Sequence, residues 1–171
     1  MLSMPGRMNH YESALEAFLR SHSIPFVNVE EVKKALFSGT RLKSFDYVVY
    51  SKKGSNLLVD VKGRAHKPRR TGAATRFENW ATERDLADLI EWEKVFGDGF
   101  KGLLTFVYWI HSPEKAPQAG TFRHRDRWYL MMGVDAAAYR SRMRRRSAKW
   151  ETVALATEDF RTLARPLESW L

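Results

Sequence analysis

Two short runs of β-branched and aromatic residues, at positions 44–50 and 56–63, dominate the hydrophobic pattern of the chain. Such runs are typical of β-strands. The segment between them, 51–55, contains serine, lysine and glycine, which favour a turn. A connection this short joins neighbouring antiparallel strands, so the pattern predicts a β-hairpin.

The hairpin is expected to collect charged side chains on one face of a sheet. Successive side chains of a strand point to opposite faces, so Asp60 and Lys62 share a face and the aliphatic residues around them share the other. Pairing of the two strands then brings Asp46 beside Asp60 and Lys62. Two carboxylates and an ammonium group placed together in this way can hold a hard divalent cation and an attacking water molecule. The alternative is an ordinary ion pair on an exposed face, which contributes little to stability.

An apolar residue at every third or fourth position predicts a helix over 10–21, with Asn9 as its N-cap. Glu12 lies at the border of the apolar stripe, whereas Glu16 should lie further toward solvent. Glu12 therefore has two interpretations, which the spacing alone leaves even. It is either a carboxylate that reaches inward, or the acidic member of a capping box that ties the start of the helix.

The rest of the chain alternates between the two kinds of pattern. A second long helix should begin at Thr82 and end near Phe96. The pattern further predicts strands at 24–29, 102–110, 128–132 and 150–155, a short helix or turn at 30–37, a loop at 112–120, and helices at 135–146 and 158–163. This order predicts a mixed α/β fold, in which helices cover both sides of a central mixed sheet and the hairpin lies near one edge.

Composition and charge narrow the class of protein. A length of 171 residues with 44% hydrophobic residues fits one packed domain, 1–171, after a loose tail at 1–9. The net charge of +9 favours a polyanionic partner. The absence of cysteine excludes disulfides and thiolate metal sites. The tail lacks the apolar stretch of a signal peptide and no apolar run is long enough to span a membrane, so we expect a soluble, cytoplasmic protein.

A flexible basic loop is predicted at 63–76, directly after Lys62 and so at the rim of the suspected site. Its phosphate-contact candidates are Arg64, Lys67, Arg69, Arg70 and Arg76. A second basic cluster at 140–146 is interpreted as the solvated end of a helix. The tryptophans Trp92, Trp109 and Trp128 are expected in the core, and Trp80 is the candidate for a base contact because it lies near the site.

Other kinds of site find little support in the sequence. The five histidines are scattered, without zinc-ligand spacing. There is no phosphate-binding glycine-rich loop of the Walker type and no nucleophile elbow.

The spacing of Asp46, thirteen residues and then Asp60-Val61-Lys62 resembles the signature of the PD-(D/E)XK nuclease superfamily, which has the restriction-endonuclease-like fold. The helix at 83–97 and the strand after it are similar to those of archaeal Holliday-junction resolvases. This resemblance runs from Glu12 to Tyr108, and leaves 109–171 as an extension of the core. The opening at 10–16 is also similar to a small bacterial family named for its HYExAFE motif, with Leu15 in place of phenylalanine. Two departures from the superfamily pattern are Phe45 in place of proline and the shorter acid at position 60.

The resemblance implies a role for each acidic and basic residue of the motif. Asp46 and Asp60 would be ligands of Mg²⁺ or Mn²⁺, and Glu12 would be a further ligand, directly or through water. Lys62 would position the attacking water or help to deprotonate it. A homodimer is a further expectation by analogy with other members of the superfamily.

These observations lead to one hypothesis and two rivals. The first is a metal-dependent nuclease that hydrolyses phosphodiester bonds, in DNA rather than RNA, during repair or recombination. The second is a module that keeps the nuclease fold and binds nucleic acid without cutting it. The third is an interaction protein whose basic character is incidental.

Overall fold

A computed structural model describes residues 9–29, 41–112 and 120–171. Within these ranges the helices are α1 (His10–Ser21), α2 (Glu83–Phe96), α3 (Ala136–Arg142) and α4 (Thr157–Leu163), with a 3₁₀ turn at Leu167–Trp170. The strands are β1 (Phe26–Asn28), β2 (Tyr47–Val49), β3 (Asn56–His66), β4 (Ala81–Thr82), β5 (Phe100–Ile110), β6 (Thr121–His124), β7 (Arg127–Asp135), β8 (Arg144–Ser147), β9 (Thr152–Ala154) and β10 (Arg165–Pro166).

A mixed sheet forms the centre of the molecule, in the order β1-β2-β3-β5-β7-β10, with β6 also paired to β7. Strands β3 and β5 are parallel along their full length, from Asn56 opposite Phe100 to His66 opposite Ile110. Helix α2 makes the crossover between them, as parallel neighbours require. All the other pairings are antiparallel. The predicted mixed α/β architecture is therefore confirmed.

The sheet separates two hydrophobic cores. Helix α1 covers one face, where Leu15 and Phe18 pack with Val59 and Val107. Helices α2 and α3 cover the other face. There Leu86 packs with the apolar strand residues whose side chains point to that side of the sheet. Strand β5 is buried on both faces, which explains why its sequence is almost continuously apolar.

The predicted hairpin is formed by β2 and β3, with Tyr47 opposite Val59 and Val49 opposite Leu57. Strand β2 is much shorter than β3, so the last half of β3 extends past it. The predicted basic loop accordingly begins later than expected, because residues 63–66 continue β3 and pair with β5.

A second, three-stranded sheet in the order β4-β9-β8 lies at the start of α2. Here the prediction of a helix over 135–146 was wrong in its second half. Asp135 caps the helix as expected, accepting a hydrogen bond from the amide of Ala138 at 2.9 Å, but the helix ends at Arg142. The chain then becomes extended as β8, because pairing with β9 satisfies its main-chain groups. Strand β6 was also missed.

Two predictions about side-chain placement are wrong. Glu16 does not point to solvent; it is only 5% exposed and accepts a hydrogen bond from the hydroxyl of Tyr47 at 2.9 Å. A buried hydroxyl partner on β2 outweighs the position toward solvent that helical spacing gives Glu16. Trp128 is 37% exposed, near the start of β7, instead of in the core.

Some predicted segments cannot be compared with the structure. The tail at 1–8, the short helix or turn at 30–37 and most of the loop at 112–120 lie outside the described residues. None of the described helices is long and apolar enough to cross a membrane.

Candidate active site

Asp46 directly precedes β2 and lies beside β3. Its main-chain amide donates to the carbonyl of Val59 at 2.9 Å, which continues the ladder by one residue. Further along β3, the Asp46 side chain takes the place of a main-chain partner: its Oδ2 accepts a hydrogen bond from the amide of Val61 at 2.7 Å. The carboxylate therefore replaces a missing strand partner, and this bond fixes it beside the residues that follow Val59.

Asp60 and Lys62 extend from the same face of β3, as the alternation of the strand predicts. The Lys62 ammonium nitrogen lies 2.9 Å from Oδ2 of Asp60, and both side chains are almost completely buried. That oxygen has no well-formed hydrogen bond among the described residues, although it touches the ammonium group. The carboxyl groups of Asp46 and Asp60 lie close together, since each shifts the pKa of the other.

A third acid, Asp85, holds Lys62 from the opposite side, and the sequence interpretation missed its role. The Lys62 nitrogen donates to Oδ2 of Asp85 at 2.6 Å. Lys43 pairs with the other carboxylate oxygen of Asp85. The sequence pattern explains Asp85 only as part of the cap at Thr82, whose hydroxyl oxygen does accept from its amide at 3.0 Å.

Position alone could have identified Asp85. It is four residues before Leu89 and seven before Trp92, so it belongs to the inward stripe of α2. A carboxylate on an otherwise apolar stripe needs a partner in the sheet. Lys62, near the middle of the neighbouring strand, is that partner.

Glu12 approaches the site from α1. Asn9 caps this helix, and its side-chain oxygen accepts from the amide of Glu12 at 2.9 Å. The negative charge of Glu12 contributes to the raised pKa of Asp46, so the two carboxylates are close enough to interact electrostatically. Helix α1 is held close to β3 at this point, since a Cβ atom on Gly63 would lie 2.3 Å from the ring of Tyr11.

Burial dominates the electrostatics of the paired acids. It raises the pKa of Asp60 to about 7, against the opposing effect of Lys62. Burial also raises the pKa of Asp46, and the amide of Val61 partly offsets that effect. Asp85 behaves in the opposite way. Burial would raise its pKa, but the charge of Lys62 and the hydrogen bond from Lys43 lower it to about 2. Burial alone would lower the pKa of Lys62, but Asp60 and Asp85 outweigh that effect and raise it.

The oxygen atoms at this site fit a hard divalent cation. Asp46 and Asp60 are adjacent, and burial raises the pKa of both carboxyl groups even though the ammonium group of Lys62 lies beside Asp60. Among the described residues, no three acidic or imidazole groups stand together as a ready-made metal site. Mg²⁺ does not require one, because it keeps several waters and commonly takes one or two carboxylates plus substrate phosphates. The residues therefore suit an ion held by Asp46 and Asp60, with Glu12 as a further ligand, directly or through water.

The pKa of Asp60 leads to a prediction about stability without metal. Its ordinary pKa is 3.8, and folding raises it to about 7. Between about pH 4 and pH 7 the folded protein therefore binds more protons than the unfolded chain. The contribution of Asp60 to the free energy of unfolding is fully present below about pH 4 and is lost as the pH rises to about 7. Relative to wild type, Asp60→Asn should gain on the order of 3 kcal/mol in free energy of unfolding between pH 4 and pH 8. Urea unfolding in EDTA at several pH values measures this difference, and a difference that does not change with pH would contradict the assignment.

The predicted phosphate contacts divide into two groups. Lys67, Arg69, Arg70 and Arg76 are exposed on the segment after β3. Arg64 is instead occupied within the protein. Its guanidinium donates to the carbonyl oxygens of Trp80 at 2.6 Å and of Gly63 at 2.9 Å, and it lies 3.9 Å from the centre of the Trp80 ring. Arg64 thus joins β3 to the segment before α2.

Comparison with solved structures shows which fold this is. The chain is similar to Hjc of Archaeoglobus fulgidus, a Holliday junction resolvase from an archaeal hyperthermophile, with a TM-score of 0.54. The two share 10% sequence identity, and the match covers 94% of this chain and 96% of the resolvase chain. The fold is restriction-endonuclease-like. The resemblance to archaeal resolvases that the sequence suggested is thereby confirmed at the level of the fold, and it extends well past Tyr108.

No protein-family model matches the chain, and no curated protein matches it.

Proposed function

We propose that this protein is a divalent-metal-dependent nuclease that hydrolyses phosphodiester bonds in DNA. The observation that supports it most is that the amide of Val61 holds the carboxylate of Asp46 next to Asp60, whose own carboxylate lies 2.9 Å from the ammonium group of Lys62. These groups lie in a fold shared with a protein described as a Holliday junction resolvase. The proposal includes Mg²⁺ or Mn²⁺ as the cofactor, a role in recombination or repair, and one nuclease-like domain for the whole chain.

Each residue of the site has a distinct task in this proposal. Asp46 and Asp60 would hold the cation, and Glu12 would be a further ligand, directly or through water. When bound, the cation supplies charge neutralisation at the scissile phosphate and lowers the pKa of a water molecule. Lys62 lies next to Asp60, where its positive charge stabilises the extra negative charge of the pentacovalent transition state. Asp85 is a positioning residue, because it fixes the ammonium group from the side away from Asp60.

The exposed cations after β3 supply binding in this proposal. Lys67, Arg69, Arg70 and Arg76 follow directly from the strand that carries Asp60 and Lys62. Contacts of this kind to phosphates position a duplex without reading its sequence. A homodimer would place two such sites on one DNA molecule, and sedimentation at several protein concentrations tests that part of the proposal.

The test of the proposed function is nicking of supercoiled plasmid by the purified protein. Activity should require Mg²⁺ or Mn²⁺ and should disappear in EDTA. Salt-dependent binding of DNA without any cleavage would instead favour a binding module that keeps the fold. Failure to bind or cut duplex, branched or single-stranded DNA at low salt would favour an interaction protein.

A further inference from the structure

The second sheet presents a basic hairpin next to the candidate active site. Strands β8 and β9 form this hairpin, and its exposed side chains include Arg144, Arg145, Arg146 and, in the turn at 148–151, Lys149. The sequence pattern predicts these arginines at the solvated end of a helix. Strand geometry instead spreads them along an extended edge that a DNA backbone could follow.

The tip of this hairpin carries an unusual side chain for a surface turn. Trp150 is 67% exposed, and the ammonium group of Lys149 lies 5.1 Å from the centre of its ring. A single exposed apolar side chain is ordinary on a protein surface, so it is the cations beside Trp150 that distinguish it. A tryptophan among cations has the chemistry of a surface that stacks on a nucleic-acid base and holds the adjacent phosphates.

The hairpin is rigidly attached at its base. Asn79 pairs with the main chain of Leu155 in both directions, at 2.8 Å and 3.2 Å. The hydroxyl of Tyr139 donates to the carbonyl of Asn79 at 2.8 Å and lies 3.2 Å from that of Val153. All four residues are buried, so this end of the hairpin has a fixed position relative to the central sheet.

The turn of the hairpin is also connected to the candidate site. The amide of Glu83 donates to the carbonyl of Glu151 at 2.9 Å, which fixes the residue after Trp150 at the first turn of α2. Asp85, which holds Lys62, lies two residues further along this helix. On the other side, Arg146 lies 5.3 Å from the centre of the Trp80 ring. Arg64 of β3 packs on the same ring.

We infer that the β8–β9 hairpin is a DNA-binding arm, in which Trp150 stacks on an unpaired base while the arginines bind the phosphates beside it. The inference rests on the proposed nuclease function and specifies its substrate as duplex DNA interrupted by unpaired bases. A fully paired duplex offers no free base face, so Trp150 contributes little to binding it. The arginines contribute to binding both kinds of DNA, because phosphates are present in each.

Fluorescence anisotropy in EDTA, where cleavage does not interfere, tests the arm with two labelled DNAs. One is a fully paired duplex, and the other is the same duplex with a single-stranded flap. Trp150→Ala should weaken binding of the flap DNA about ten-fold and change binding of the paired duplex less than about two-fold. Trp150→Phe should keep most of the affinity. The variant with Arg144→Gln and Arg145→Gln should weaken binding of both DNAs and reduce the slope of log affinity against log salt by about one for each phosphate that is no longer neutralised.

Two matched variants control for unspecific effects. Trp128→Ala removes another exposed tryptophan, on β7 of the central sheet, and Lys52→Ala removes an exposed charge in the turn between β2 and β3. Both should bind like wild type. Thermal unfolding checks that the variants are folded, and Trp150 is exposed enough that its replacement should leave the melting temperature unchanged.

The outcomes separate the arm from the nuclease proposal. If wild type binds and cuts DNA and the hairpin variants equal it on both DNAs, the arm is overturned and the nuclease proposal stands. If wild type binds through the hairpin and never cuts, the arm stands and the nuclease proposal fails. If wild type binds neither DNA, both are overturned.

Discussion

Asp60→Asn is expected to reduce metal-dependent DNA cleavage by at least about 10³-fold, since loss of a metal ligand removes several kcal/mol of transition-state stabilisation. Asparagine keeps the shape of the side chain and removes the charge that would hold the cation beside Asp46. The variant should fold at least as well as wild type near neutral pH, because it also removes a buried acid whose pKa is raised. Supercoiled-plasmid nicking in Mg²⁺ and in Mn²⁺ measures the effect.

The matched control for this variant is Asp98→Asn. Asp98 is exposed in the turn between α2 and β5, next to the start of β5 and so at the opposite end of the sheet from the extended half of β3. Its replacement should leave nicking unchanged. Equal nicking by wild type and Asp60→Asn would show that the activity comes from a contaminant or from another site.

Lys62→Met should produce a combined loss of activity and stability. The ammonium group is buried between Asp60 and Asp85, so its removal leaves two buried acids facing an apolar side chain. Breaking such a pair lowers the free energy of unfolding by about 3 kcal/mol. We expect no larger loss, because Lys43 still pairs with Asp85 in the variant. Cleavage should fall about 10²- to 10³-fold, the range observed when one preorganised charge or donor is lost from a transition state.

A second variant separates these two effects. Lys62→Met combined with Asp85→Asn removes one of the two acids that Lys62 contacted, so it should recover part of the stability and none of the activity. Urea unfolding and plasmid nicking on the same preparations test this. Recovery of cleavage together with stability would mean that Lys62 has only a structural role.

The β2–β3 hairpin was predictable from the sequence because the residues that determine it are close together in the chain. Alternation along 56–63 fixed the face of Asp60 and Lys62, and the short turn at 51–55 fixed the pairing with β2. The caps at Asn9 and Thr82 were predictable for the same reason, since each depends on residues three positions apart.

Interactions between distant segments were much harder to predict. Glu16 is buried because the hydroxyl of Tyr47, thirty-one positions later, donates a hydrogen bond to it. Helical spacing within α1 cannot predict that partner. Lys62 is likewise held by an acid twenty-three positions away. The short strand β8 was predicted as helix because its local propensity does not reveal the pairing with β9 that outweighs it. The basic hairpin therefore became visible only in the folded chain.

The central claim is that Asp46 and Asp60 hold a divalent cation beside Lys62. Titration of the protein with Mn²⁺, with free Mn²⁺ followed by electron paramagnetic resonance, tests this claim most directly because it depends on neither DNA nor catalysis. We predict saturable Mn²⁺ binding by wild type that Asp46→Asn and Asp60→Asn each weaken at least about ten-fold. Unchanged Mn²⁺ affinity in both variants would contradict the claim.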